Sequence, residues 1–252
     1  MDKDLIRRRF ARAAETYLSE ASVQRDIAAR TMRLLRGYTP ASAHQRVLEV
    51  GCGTGAFTMQ YLDGYAPDRL WLNDLCPEVE RCYDGIRPRP DFIAGDAEIV
   101  ALPGGLTMVV SCSTFQWFNS QERFFKRCVP LLDDGGWLVF TTFGKSNMHE
   151  VSSATGQSLP YRSMDELREA LQEDYEVLHC SESIETMLFD TPLDALRHLR
   201  RTGVTGTGGQ AWTRGDLKTF CARYDGGRRT SDGRVTLTYH PIYFVTRKKQ
   251  EQ

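Results

Sequence analysis

The residues of this sequence that could do chemistry gather at the ends of apolar runs. Val47-Leu48-Glu49-Val50 breaks abruptly into Gly51, Gly53 and Gly55, the pattern of a buried strand entering a glycine-rich turn, with a helix starting near Ala56. Such a turn lets a ligand approach the backbone closely, and the first N–H groups of the following helix point into the same crevice. The spacing is not G-x-G-x-x-G, because Ala56 replaces the third glycine, which weakens the reading as a dinucleotide pyrophosphate site. Asp74 follows about twenty residues later, at the end of the run Arg69 to Asn73, where an acidic side chain of a doubly wound sheet accepts hydrogen bonds from ribose hydroxyls. Ser111 to Phe118 leaves the end of a fourth apolar run, which places Gln116 and Trp117 where substrate is expected. Arg197, Arg200 and Arg201 form the densest cationic segment near the C-terminal third, and Arg197 and Arg201, four apart, share a helical face. Arginine suits planar, paired contacts with a carboxylate or phosphate.

Other chemistries find less support. His149 beside Glu150, His198 and His240 make neither H-E-x-x-H nor another short-spaced ligand set, so no metal is expected. Ser111 and Ser113 lack the G-x-S-x-G elbow of a hydrolase. His198 and His240 read as structural or surface histidines.

The elements that must position these residues alternate as strand, loop and helix. Two amphipathic helices are expected before the first strand, the second ending at Gly37 and Pro40; this cover would bring Tyr17 and Gln24 to the pocket. Strands are expected at 69–73, 92–94, 106–111 and 137–142, with helices from Pro77 toward Tyr83 and from Phe124 to Leu132. Ser146 to Leu159 is polar and broken, and reads as an inserted lid with His149 and Glu150 near the pocket. Further on, a helix over Met164–Leu171, a strand over Tyr175–Ile184 and helices over Leu193–Thr202 and Arg214–Tyr224 are expected. Gly206 to Gly209 reads as a flexible link, and Val235 to Phe244 as a last strand in which Pro241 implies an edge or a bulge. The organisation expected is one domain over 1–252, with N-terminal helices over 1–40 and substrate-side insertions over 145–160 and 190–225.

The chain has 252 residues and a formal charge of -1, and all but six of its 32 basic residues are arginine. It is long enough to bury a sizeable core. A near-zero net charge argues against general nucleic-acid binding and leaves room for a local arginine face. The 7 cysteines are scattered and odd in number, which suits a reducing compartment. No run could span a bilayer and no secretory core follows Arg7 to Arg9, so a cytoplasmic monomer without membrane contact is expected.

The stretch Glu49 to Gly55 resembles the E/D-x-G-x-G-x-G signature of class I methyltransferases that bind S-adenosylmethionine. That resemblance implies an α/β fold, Rossmann-like, with a central mostly parallel sheet, helices on both faces, an N-terminal helical cover and an inserted helical lid. It also implies that Glu49 lies under the methionine part and that Gly51, Gly53 and Gly55 wrap the cofactor. The loop Gly95-Asp96-Ala97-Glu98 resembles the adenine-side loop, with Asp96 accepting from the exocyclic amine and Ala97 beside it. Ser111 and Gln24 complete the expected cofactor contacts.

RRRFARAAETY, LEVGCGTG, GDAE, STFQWF, FTTFG followed by MHE, TPLDALRHLRRTGVTG and LTYHPIYFVTRK together resemble the malonyl-[acyl-carrier protein] O-methyltransferases of biotin synthesis, nearly end to end. The resemblance implies methylation of the free carboxylate of a malonyl group on an acidic acyl-carrier protein. That carboxylate is already ionised near neutrality, so the reaction needs alignment and exclusion of water rather than a general base. Arg197 is the expected carboxylate clamp, with Arg201 the other possibility; Tyr17, Gln116, Trp117 and His149 are expected around the substrate. Arg7, Arg8, Arg12 and Arg200 are expected to steer the carrier. The alternatives are an enzyme for a free small carboxylic acid and a cofactor-binding module without chemistry.

Overall fold

The computed structural model describes residues 1–204, 212–226 and 229–250, with the side chains at 15–19 and 225 left out. The expected link over Gly206–Gly209 lies outside the described residues.

Five strands form a parallel sheet: β1 (Arg46–Val50), β2 (Arg69–Asp74), β3 (Asp91–Ala94), β4 (Leu106–Cys112) and β5 (Leu132–Phe143). Two more complete it, β6 (Tyr175–Glu182) and β9 (Pro241–Lys248), in the order β3-β2-β1-β4-β5-β9-β6. β9 runs antiparallel to both of its neighbours. The order reverses between β1 and β4, so the crevice at their carboxyl ends is where this architecture takes a ligand.

Side chains of successive strand residues point to opposite faces, and here both faces are covered. Val47, Met108, Val110, Val139 and Val245 pack one way, against Ala28, Met32 and Leu35 of α2 (Ser22–Tyr38) and Tyr61 of α3 (Thr58–Gly64). Leu48, Val50, Val109, Leu138 and Phe140 pack the other way, with Phe124 and Phe125 of α4 (Gln121–Cys128) and Leu167 and Leu171 of α6 (Met164–Leu171). Phe115, Phe125, Phe140 and Phe244 form a continuous aromatic stack in that second core. The two N-terminal helices are present as expected: α1 (Lys3–Glu20) precedes α2.

Some expected boundaries move. Pro77–Tyr83 is a 3-10 helix, and Val235–Phe244 is two strands rather than one. β8 (Val235–Tyr239) leaves the main sheet and pairs antiparallel with β7 (Glu185–Phe189), a strand the sequence reading did not identify. His240 separates the two, and Pro241 opens β9 in the sheet interior, neither edge nor bulge. The first residue of a strand is one of the places where a missing N–H is tolerated.

The β7–β8 pair carries the inserted region. α5 (His149–Thr155), α7 (Pro192–Arg201) and α8 (Arg214–Asp225) pack on it through Ala154, Ala195, Phe220, Tyr224 and Val235. A buried carboxylate pins the expected lid: Glu150 is fully enclosed and accepts the Thr238 N–H at 3.0 Å and the Thr238 hydroxyl at 2.7 Å. Glu150→Ala should lower unfolding free energy by about 2 kcal/mol or more, since it leaves the Thr238 N–H and hydroxyl buried without their partner, at roughly 1–3 kcal/mol for each group. Denaturant titration checks this; a loss below about 0.5 kcal/mol would leave the lid held by apolar contacts alone.

Candidate active site

The glycine turn after β1 is built from hydrogen bonds that only this backbone can make. Gly51 and Cys52 donate their N–H groups to the Asn73 carbonyl at 2.8 and 3.0 Å. Gly53 donates to Asp74 Oδ2 at 2.8 Å, while Asp74 Oδ1 takes the Cys76 N–H at 2.8 Å. Tyr83 donates to the carbonyls of Cys52 and Gly53. Gly51 sits at φ +74°, and a Cβ there would fall 2.1 Å from Thr114 Oγ1. Gly53 (φ +53°) differs, because its missing Cβ opens onto empty space.

That space is a cleft at the carboxyl ends of β1, β2 and β4. Gly51, Gly53, Asp74, Asp96, Ala97 and Trp117 line it, so these expected residues are brought together. Gly55 (φ +93°) shapes the turn from behind, against Met59 and Tyr83. Glu49 and Gln24 line an adjoining cavity with Thr54 and Cys112. Two buried atoms of that cavity, Gln24 Oε1 and Thr54 Oγ1, have no hydrogen-bond partner in the protein. Unpartnered buried polar atoms are costly, so their grouping beside a carboxylate marks a place for a polar ligand end.

Electrostatics agree. Glu49 is enclosed and holds the Thr58 hydroxyl at 2.7 Å. Burial, reinforced by nearby Asp74, pushes its carboxyl up to about 8 despite that bond. A ligand ammonium placed here would return Glu49 to its ionised form. Burial also raises Asp74, against the bonds from Cys76 and Gly53. The nearby thiols are no nucleophiles: burial pushes Cys76 and Cys112 up to about 12. On the far side of the cleft Lys3, which sequence reasoning missed, reaches Glu98 at 2.7 Å and Asp96 at 3.4 Å. It ties α1 to the loop that carries Asp96 and Glu98 and sits above the Phe118 ring.

Trp117 stands against Phe10, edge to face at 5.5 Å, between this cleft and a second chamber. Gln24, Ser113, Gln116, Phe143, Asn147, Met148, Leu159, Tyr161 and Tyr239 enclose that chamber, so Asn147, Met148 and Leu159 are the residues of the 146–159 segment that line it. Gln116 is held by Ser113 and Thr142.

Several expected residues lie elsewhere. Ser111 is fully buried and donates to the Val50 carbonyl at 2.8 Å, so its hydroxyl joins two strands instead of meeting a cofactor. Arg197 and Arg201 do not enter either cavity: α7 buries Ala195, His198 and Leu199, which turns both arginines outward at 65% and 58% exposure. Arg197 pairs with Asp194 and Arg201 with Glu20. His149 also points out, toward the Ser146 carbonyl. Tyr17 belongs to α1, with its side chain outside the described residues. His198, bonded to Tyr239, and His240, bonded to Glu182, have structural surroundings as expected. Among the described residues no His, Cys, Asp and Glu cluster could hold a metal, and no helix is long and apolar enough to cross a membrane.

Sheet order, glycine turn and paired acidic positions define a class I methyltransferase that uses S-adenosylmethionine; residues 48–140 match the family described as "Methyltransferase domain". Full-length relatives are more specific. The chain is 42% identical over 99% of its length to the whole malonyl-[acyl-carrier protein] O-methyltransferase of Bacteroides thetaiotaomicron. It is 43% identical over 98% of its length to the protein of that name from Bacteroides fragilis, of which it spans 51%. The chain belongs to the malonyl-[acyl-carrier protein] O-methyltransferase family. Solved structures agree on the fold. Bacillus subtilis YcgJ superimposes with TM-score 0.64 at 12% identity over 89% of this chain and 100% of its own. Haemonchus contortus phosphoethanolamine N-methyltransferase 2, solved with S-adenosyl-L-methionine, gives 0.54 at 16% identity over 88% and 53%.

Two outcomes follow from this geometry. Gly53→Ala meets no neighbouring atom but places a methyl group toward the cleft, so calorimetry should show at least about tenfold weaker S-adenosylmethionine binding, with a melting temperature lowered only by the cost of alanine at a positive φ. Gly51→Ala should lower the melting temperature strongly, because Thr114 cannot yield to a Cβ at a positive φ. The raised carboxyl of Glu49 predicts a pH dependence as well. Below about 8 free Glu49 is protonated, and binding a cationic ligand end expels that proton. Affinity should therefore rise with pH between about 6 and 8, by up to roughly tenfold per unit, and Glu49→Gln should abolish the slope. Equal slopes in both proteins would assign the linkage to another group.

Proposed function

We propose that this protein methylates the free carboxylate of a malonyl group carried by an acyl-carrier protein. The observation that carries this reading is the chamber behind Trp117. Among the described residues lining it there is no Asp, Glu, His, Lys or Arg. A chamber without an acid or base suits a nucleophile that arrives already deprotonated, and a carboxylate is one at neutral pH. The family name of the relatives specifies the same acceptor.

Bound S-adenosylmethionine supplies an electrophilic methyl on a positively charged sulfur, and its transfer to a carboxylate oxygen yields a neutral ester and a neutral thioether without moving a proton. The protein's own part is placement. Asp74 and Asp96 offer acceptors for ribose hydroxyls and an adenine amine, while Glu49, Gln24 and Thr54 offer polar atoms to the amino-acid end. Trp117 and Phe10 keep water from the boundary between cleft and chamber, as alignment and dryness require. Masking the malonyl charge as an ester fits the entry into biotin synthesis that the resemblance implies.

The carrier reading rests on the rim. Arg8 and Arg12 on α1 and Arg200 on α7 are exposed and have no ion-pair partner among the described residues, whereas Arg7 pairs with Glu78. α1 and α7 pack together, with Gly203 against Phe10, so the helices that carry these charges are neighbours. Exposed like charges steer an acidic partner and lose influence in salt. Labelled S-adenosylmethionine offered with malonyl-carrier, a short malonyl thioester and free malonate tests the reading. Fastest turnover is expected on malonyl-carrier; transfer to malonate at equal or higher kcat/KM would indicate a free-acid enzyme. Arg8→Glu with Arg12→Glu should lower kcat/KM about tenfold on the carrier at low salt and leave the short thioester unchanged. Equal losses on both would place these arginines in folding or chemistry.

A further inference from the structure

On this reading the chamber must hold an anion, yet no cation among the described residues lines it, so the polar atoms on its wall decide how. Gln116 is held at both ends, its Nε2 donating one N–H to the Ser113 carbonyl at 2.5 Å and its Oε1 accepting from the Thr142 hydroxyl, which leaves it a single amide N–H. Tyr239 is bonded to His198 at 2.9 Å. Gln24 presents an unpartnered acceptor, which suits a cation better than a carboxylate.

Asn147 and Tyr161 form the other polar pair on this wall, and their hydrogen bonds have a fixed direction. The backbone N–H of His240 can only donate, and it meets Asn147 Oδ1 at 3.2 Å. That contact orients the buried amide, so Asn147 Nδ2 is the atom facing Tyr161, 2.8 Å from its hydroxyl oxygen. Nδ2 can only donate, which makes Tyr161 the acceptor of this bond. Its own proton has no acceptor among the described residues, and the ring lines the chamber from both of the cavities that meet there.

We infer that the Tyr161 hydroxyl, aimed by Asn147, is the donor that binds the carboxylate of the substrate. The inference rests on the malonyl reading above and assigns that reading's anion site to residues the sequence did not single out. The hydroxyl stays protonated at working pH, because burial raises it up to about 12. Backbone strain collects at the same place. Ser113 (φ +57°) and Met148 (φ +53°) are the two non-glycine residues with positive φ among those described, and both line this chamber. Strain of this kind persists where the surrounding structure holds a ligand contact in position.

A single neutral donor also fits the chemistry better than a guanidinium fork. It can bond one carboxylate oxygen and leave the lone pairs of the other free for attack, whereas a bidentate arginine would occupy both. The bond is strongest to the charged ground state and weakens as the oxygen loses its charge to the new ester bond. Removing it should therefore raise KM more than it lowers kcat.

Steady-state kinetics of Tyr161→Phe and Asn147→Asp on malonyl-carrier test the assignment, with S-adenosylmethionine affinity measured for each. Tyr161→Phe should raise KM roughly 10- to 100-fold, the range a lost hydrogen bond to a charged group allows, with kcat within about threefold and cofactor affinity unchanged. Asn147→Asp keeps the acceptor for His240 but turns the Tyr161 proton toward the new carboxylate, so its KM should rise further. A parental KM in both variants overturns the assignment while the malonyl reading stands, as does a loss in Tyr161→Phe confined to kcat. Failure of the unaltered protein to turn over any malonyl acceptor overturns the reading itself and this assignment with it.

Discussion

The carboxylate of Asp74 is the constraint on which the site depends. One of its oxygens takes the Gly53 N–H and the other takes the Cys76 N–H, so the end of β2 holds the turn that follows β1. The neighbouring Asn73 carbonyl takes two further N–H groups, from Gly51 and Cys52, and Tyr83 closes the turn from the other side. A turn with three positive-φ glycines would cost too much backbone entropy to persist on its own. Here its donors and acceptors are matched by groups fixed in a buried parallel sheet. The cleft, the exposed backbone of Gly53 and the enclosed carboxyl of Glu49 all follow from that arrangement.

Charge is distributed by depth. Acidic groups stand at the cofactor end, where a cationic, hydrogen-bond-rich ligand belongs. The described residues lining the neighbouring chamber carry no charge, and Arg8, Arg12 and Arg200 are exposed on α1 and α7. A chamber cation would hold an anionic substrate more tightly before reaction than during it, since the charge disappears as the ester forms. On the proposed reading, a neutral donor inside with arginines outside separates attraction over distance from recognition at contact. Trp117 is shared by cleft and chamber, and on the proposed reading it stands where the methyl group passes between them.

Much of this was legible in the sequence, for reasons that are local. The apolar runs and their glycine and acidic termini identify β1, β2 and β4 and the residues at their ends, because a parallel strand delivers its chemistry at its carboxyl end. Parity misled at Ser111, whose hydroxyl turns back to Val50 although its neighbours Cys112 and Ser113 face the site. Arg197 and Arg201 were attractive by charge and family. Their orientation was decided by Ala195, His198 and Leu199, and a buried histidine does not read as apolar in a helical pattern. β7 is short and begins with two exposed residues, so it carries little periodicity to distinguish it from a loop. Tyr161 and Asn147 had no local signal at all: they meet through Met148 in a left-handed conformation and through a contact to His240, nearly a hundred positions away.

The most direct measurement is a crystal structure of the protein with S-adenosylhomocysteine and a malonyl thioester. The account predicts the nucleoside in the cleft over Gly53 with its ribose on Asp74, and the malonyl carboxylate in the chamber within hydrogen-bond distance of the Tyr161 hydroxyl. A carboxylate bound instead by Arg197 or Arg201, with α7 rotated to bring either inward, would contradict it.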